Sequence, residues 1–338
     1  LAREAGVHNP DLNIAITRSA GFLRWYVNKG AIPYGDHIPW PGHEDNGKCS
    51  MAAILFDLLG DREAATFFTR MSMAAYDERE RGHTGNFFNI LWAMPAVARC
   101  GPQSTGAYWR EQAWYYDLAR GWDGSFRYQG SPVGEEEHDK YTHWDNTGTY
   151  LLTYALPMKS LYITGKKPSA VQTLTASESE EVITAGRDYF STRSGLSGRE
   201  MDRYRYEHRS KKELLAGLSS WSPAVRKRSA RELGRRDGDF MPILLKLLKS
   251  SNLDSRYGAV EALGRLTSKT NEVARVSVLS NALQADDLWL RILAAEALAG
   301  IGDPAKIAIP DMLKRFAMRD PEKDPRGMEH RYLAFALF

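Results

Sequence analysis

Between residues 222 and 338 the sequence repeats itself at intervals of about 30–40 residues, and copies of that length must stack to enclose a core. Val225-Arg226-Lys227-Arg228-Ser229-Ala230-Arg231-Glu232-Leu233-Gly234 is followed by Ser255-Arg256-Tyr257-Gly258-Ala259-Val260-Glu261-Ala262-Leu263-Gly264, and then by Leu290-Arg291-Ile292-Leu293-Ala294-Ala295-Glu296-Ala297-Leu298-Ala299. Arginine, a small residue, glutamate and leucine recur along these copies. A second apolar helix is predicted after each, over Pro242–Leu248, Val273–Leu283 and Ile309–Phe316. Ser222, Asp254 and Asp286 or Asp287 stand where N-caps belong. A single helix pair has one neighbour-facing stripe, so the pairs must pile up and bury Leu233, Leu263 and Leu298 together.

These copies resemble HEAT repeats of the short bacterial kind, with a fourth copy starting at Arg331-Tyr332-Leu333-Ala334. The resemblance implies an α-solenoid that serves as a scaffold, with a protein partner on the array and no catalytic residues. The basic run Arg226 to Arg236 also invites a nucleic-acid reading. Helical spacing puts Arg228, Arg231 and Arg235 on one stripe, enough for ~3 phosphates against the roughly 6–10 of a committed binder. Glu232, Asp237 and Asp239 interrupt the run, so a solvated face is expected and no nucleic-acid partner.

Charge marks where this array begins. Residues 1–186 hold 17 Lys and Arg against 22 Asp and Glu, whereas 187–338 hold 28 against 20. The expected division is a first domain over 1–192, a linker over 193–212 and the repeats over 213–338. At 43% hydrophobic and 26% charged the chain is neither disordered nor a disulfide scaffold, and no apolar run approaches the roughly 18 residues of a membrane span. It begins at Leu1 without an initiator Met and stops at Phe338 inside a helical pattern. It therefore reads as a fragment of a longer product, and its compartment, an exported one included, stays open.

The first domain alternates two kinds of predicted helix. An amphipathic segment over 10–28 carries Leu12, Ile16, Ala20, Leu23 and Val27, and further charged-faced segments cover 62–77, 105–120 and 180–191. Between them, 47–59, 85–99 and 148–164 are apolar almost all round and close at Gly60, Gly101 and Gly165, so they should be buried. Pro95 and Pro157 should kink the last two at matching heights. The alternation fits an outer row of helices wrapped around an inner row.

Gly30-Ala31-Ile32-Pro33-Tyr34-Gly35 and Gly124-Ser125-Phe126-Arg127-Tyr128-Gln129-Gly130 share a skeleton and each lead from an outer to an inner helix. With Asp123-Gly124-Ser125-Phe126 as the matching turn, the domain resembles an α/α toroid of the terpene-cyclase and prenyltransferase type, an architecture also used by glycoside hydrolases, polysaccharide lyases and lanthionine-forming cyclases. Such a toroid joined to HEAT repeats is similar to a bacterial family of unknown function, a likeness that runs from Tyr34 to Lys167. The expected fold is thus all-α, a toroid followed by a HEAT solenoid. With three inner and four outer helices, the ring is expected to be incomplete or an open arc.

In such a ring the loops that leave outer helices gather on one rim, so residues 29–46 and 121–146 should converge there with the short loop 77–84. The candidate catalytic groups are Glu44, Asp45 and Asp145 as acid or base, with His43 and His143 for proton transfer. Tyr34, Trp40, Tyr128, Trp144, Glu135 and His83 are the candidate substrate contacts. Paired carboxylates flanked by aromatic rings suit carbohydrate chemistry, in which one acid protonates the leaving oxygen and rings stack on sugar faces. Asp45 and Asp145 also stand where helix caps belong, and Glu135-Glu136-Glu137 also reads as a solvated acidic loop. The leading expectation is a glycoside hydrolase or lyase acting on a carbohydrate ligand without a cofactor. A non-catalytic interaction scaffold is the alternative, and a zinc-dependent transferase or cyclase holding metal through Cys49, His83 and Asp145 is the third. No compact zinc-ligand spacing occurs. Cys49 and Cys100 should sit at opposite ends of parallel helices, about 20 Å apart by helical rise, and remain separate thiols.

Overall fold

A computed structural model describes residues 1–35, 38–40, 42–43, 47–79, 88–129, 145–190, 206–268 and 271–338, with the backbone alone at 188–190. Among the described residues there are fifteen α-helices and no strand, only three isolated β-bridges. The chain is all-α and divides into two compact units, Leu1–Met201 and Asp202–Phe338.

The first unit contains α1 (Pro10–Arg24), α2 (Lys48–Leu59), α3 (Arg62–Ala74), α4 (Phe88–Val97), α5 (Pro102–Ala119), α6 (Thr147–Tyr154) and α7 (Ala176–Phe190). Helices α2, α4 and α6 pack side by side, and α3 and α5 lie against α4. The last helix enters where the sequence order does not suggest: α7 packs against both α3 and α5. Gly186 makes this approach possible, because a Cβ there would collide with the Ala74 carbonyl. Val182 and Ile183 are buried in the contact, Ser179 Oγ meets Ser104 Oγ at 3.0 Å, and Arg187 pairs with Glu111 at 2.5 Å.

Two expectations for the inner helices need correction. Pro95 does lie inside α4, but α6 ends at Tyr154, and Pro157 falls in a short 3₁₀ turn, Leu156–Met158, so it breaks the helix instead of kinking it. Nor are these helices buried all round. Met51, Phe88, Leu151 and Tyr154 are each 45–49% exposed, although Met51 faces Ile16 and Leu23 of α1 across a shallow apolar pocket and the Tyr154 ring lies edge-on to Trp109 and Tyr116 of α5. The amphipathic helix α1 stops at Arg24 and buries no residue, while Tyr26 and Val27 in the following turn are buried.

At the far ends of α2 and α4, Asp57 and Arg99 form an ion pair of 2.7 Å with both side chains 4% exposed. The Arg99 guanidinium also donates to the carbonyls of Pro95, Tyr162 and Ile163, and Asp57 accepts from Ser169 Oγ and the Ala170 amide. Two inner helices and the segment that follows α6 are tied through this one pair.

The second unit begins packing inside the stretch read as a linker, since Tyr206 is buried and Arg236 donates to its carbonyl. It contains α8 (Lys211–Gly217), α9 (Pro223–Leu233), α10 (Met241–Leu248), α11 (Leu253–Arg265), α12 (Glu272–Ala282), α13 (Leu288–Ile301), α14 (Ile309–Ala317) and α15 (Met328–Leu337). The first helices α9, α11, α13 and α15 stack in succession, and α10, α12 and α14 each pack on the first helix of the next pair. Leu233, Leu263 and Leu298 are buried in line. Ser222 and Asp287 cap α9 and α13, but Asn252 and not Asp254 caps α11.

Asp254 is instead the partner of Arg226, at 2.8 Å. Two repeats further along, Arg291 holds Glu329 through two bonds of 2.7 and 3.0 Å. Each acid stands two residues before the arginine position of the next copy, so arginine in one repeat clamps the repeat that follows. The basic run is therefore not a solvated face: Arg226 and Arg228 are buried, and Arg235 and Arg236 both pair with Glu232. Gly258 lets α11 approach α8, since a Cβ would strike the Leu218 carbonyl, and Gly264 abuts Ala297.

Asp57→Asn should lower the stability of the first unit by about 3–5 kcal/mol, because it leaves a buried guanidinium without a counter-charge; a thermal melt of the full chain reads it. Gly258→Ala sets two effects against each other, a helix-propensity gain of about 1 kcal/mol and an overpacking cost of roughly 1–3 kcal/mol. Because the collision is with backbone, the melting temperature of the second unit should fall.

Candidate functional site

The site proposed from sequence depends on where the tops of α2, α4 and α6 lie. Gly47, the left-handed residue before α2 (φ 72°), is so close to the start of α4 that a Cβ would collide with the Phe88 carbonyl. Ile90, near the start of α4, shares a buried cluster with Phe126 and with Tyr150 near the start of α6. The three inner helices therefore begin side by side, and the described roots of the two long loops stand at the same end of the row.

The first loop is held by a thiol. Ala31 and Trp40 exchange backbone bonds of 3.2 and 2.9 Å, an isolated antiparallel bridge between the two arms of the loop. Beneath it the buried Cys49 Sγ accepts from the Ile32 amide at 3.5 Å and donates to the His43 carbonyl at 3.7 Å. Both arms of the loop are thereby fastened to the first turn of α2. Tyr34 and Trp40 are exposed, while His43 is buried, packed down rather than presented to a substrate.

The second loop is anchored on backbone pairs from Phe126 and Arg127 to Asn146 and Asp145. The Asp123 carboxylate accepts from the Ser125 hydroxyl and amide, forming a tight turn, and the Trp122 ring beside it is 98% exposed. Asp145 accepts from the Thr147 amide at 2.9 Å at the start of α6. Hydrogen bonds from Thr147 hold the Asp145 carboxyl below its ordinary range, and those from Ser125 do the same for Asp123. Asp145 is thus an exposed, ionised carboxylate ahead of α6; it suits a base or a cation contact and not a proton donor. Tyr128 is buried, so it offers no open platform.

Glu44, Asp45, His83, Glu135, His143 and Trp144 lie outside the described residues. For the metal alternative, Cys49 is engaged under the first loop and Asp145 at the head of α6, and among the described residues no group of three or more His, Cys, Asp or Glu could hold a metal ion. Among them also, no helix is long and apolar enough to cross a membrane. Both cysteines are free and buried, and burial pushes the Cys100 thiol up to about 12.

Sequence reasoning missed that the inner helices are not buried all round. Met51 and Leu55, four apart on α2, face Ile16 and Leu23 of α1 across an apolar pocket, while Leu151 on α6 is half-exposed. The spacing was there to be read, but uniformly apolar helices conceal which side faces outward.

Residues 1–165 match a domain of unknown function, DUF6288, and residues 212–299 match HEAT repeats. No curated protein and no solved structure matches the chain. The chain thus joins a DUF6288 domain to HEAT repeats in one all-helical molecule.

In the native protein neither thiol should react with a disulfide reagent at pH 8, and two should titrate in denaturant. Cys49→Ala should loosen the 31–43 loop, raising proteolytic nicking there without a comparable effect at 120–128.

Proposed function

We propose that the chain is a non-catalytic interaction protein, with its first unit an open segment of an α/α toroid and its HEAT array a rigid docking scaffold. The observation that carries this reading is the group of half-exposed apolar side chains Met51, Phe88 and Leu151 on the neighbouring helices α2, α4 and α6. Exposed apolar side chains gathered on neighbouring helices are the kind of surface at which proteins associate. The reading is supported by the commitment of the described candidate catalytic groups to structure: His43 is buried and Asp145 accepts from the Thr147 amide ahead of α6.

A second reading, a glycoside hydrolase or lyase, is favoured by the exposed rings of Tyr34, Trp40 and Trp122 at the end of the domain that also carries the ionised Asp123 and Asp145. Those rings could stack on sugar faces, and the carboxylates could take up a proton.

Two measurements separate the readings. Incubation with a panel of polysaccharides should release no reducing or unsaturated ends, and Asp145→Asn should change nothing. Release that Asp145→Asn abolishes would replace the scaffold with the enzyme. Chemical cross-linking in the cell should capture a saturable partner that the combined variant Met51→Glu, Leu151→Glu loses while its circular dichroism stays unchanged; capture unaffected by that variant would remove these apolar side chains from the reading.

A further inference from the structure

One side of the stacked first helices in the second unit holds a cavity of 260 Å³, reached from α9, α11, α13 and α15. Its wall is apolar at Leu293 and Ala297, and the Phe335 ring at its edge is 78% exposed. The volume suits a single long side chain and falls below the roughly 300–1,000 Å³ of a usual small-molecule cleft.

Two carboxylates, Glu261 and Glu296, line this cavity. Glu261 keeps part of its stem exposed, but its Oε2 is shut off from solvent and has no hydrogen-bond partner. A buried acceptor left unmade costs about 1–3 kcal/mol, more when charged. Of the neighbouring cations, Arg226 on α9 is held by Asp254, and Arg265 on α11 itself is exposed to water. Lys227 on α9 reaches Glu296 on α13 at 3.9 Å, a loose contact between two side chains more than a third exposed. One ammonium serves two carboxylates, and the inner one is left without a donor.

We propose that this cavity receives the cationic side chain of a partner protein, an arginine or lysine whose charged end pairs with Glu261 and Glu296 while its methylene stem lies along Leu293 and the Phe335 ring. The assignment rests on the scaffold reading and names the chemistry its HEAT array recognises. An arginine fits best, since its planar donors can satisfy two carboxylates at once and its charge can lie over an aromatic face. A neutral apolar side chain would leave the Glu261 oxygen as it is, and an anion would face both acids.

Burial raises the free Glu261 carboxyl to about 7, against the pull of Arg226, Lys227 and Arg265 and with the push of Glu296. Pairing with a cation requires the ionised form, so affinity should rise with pH through neutrality and level off above it. With N-acetyl-arginine methylamide as the probe, the amide signals of Gly264 and Gly300, which line the cavity, should shift on titration of the full chain. Binding should be about tenfold tighter at pH 8 than at pH 6, the ratio of ionised Glu261 at the two values. Glu261→Gln should remove the pH dependence and weaken binding, and Glu296→Gln should weaken binding while keeping the dependence. N-acetyl-norleucine methylamide should leave both signals in place. Silent glycine signals, equal shifts with norleucine, or equal affinity at the two pH values would each overturn the proposal. None of these outcomes depends on the exposed apolar side chains of the first unit, so the scaffold reading stands or falls separately.

Discussion

The buried pair of Asp57 and Arg99 is the junction on which the first unit depends. A guanidinium and a carboxylate taken out of water are stable together only when their remaining donors and acceptors are also satisfied. Here backbone supplies the partners: three carbonyls for the arginine, and an amide beside a serine hydroxyl for the aspartate. The consequence is positional. The ends of α2 and α4 and the turns after α6 must meet at one point, and once they do, the opposite ends of the same helices are aligned as the platform for both long loops.

The second unit solves a comparable problem by repetition. Its first helices come close because glycines at the crossing points leave room, and they are held in register because an arginine in one copy reaches an acid in the next. Close approach and charge pairing act on the same surface, so the array resists sliding as well as separation. This explains why so many arginines sit in one short run without forming a basic stripe. The middle first helix pairs differently: Tyr257 hydrogen-bonds to Asp287 of the next copy.

The all-helical fold, the helix pairs of the second unit and their apolar stripe were legible, because each follows from local spacing. Leu233, Leu263 and Leu298 are buried where the period places them. A structural role for Asp145 ahead of α6 was also legible as one of two readings. Harder to see were Asn252 taking the cap that Asp254 occupies in the pattern, and Pro157 ending a helix instead of bending it. At α11 the outcome is set by another element, since Arg226 of the preceding copy holds Asp254 and leaves the cap to Asn252.

Local sequence determined that this chain is helical, that its second part stacks, and that Gly-rich turns lead into apolar helices, since propensity, capping and periodicity act within a few residues. Only tertiary structure decided that α7 packs against both α3 and α5, that Cys49 fastens both arms of the first loop, and that Glu261 is buried without a donor. Those outcomes depend on which surfaces meet across many tens of residues, and an apolar or charged side chain carries no mark of the neighbour it will find.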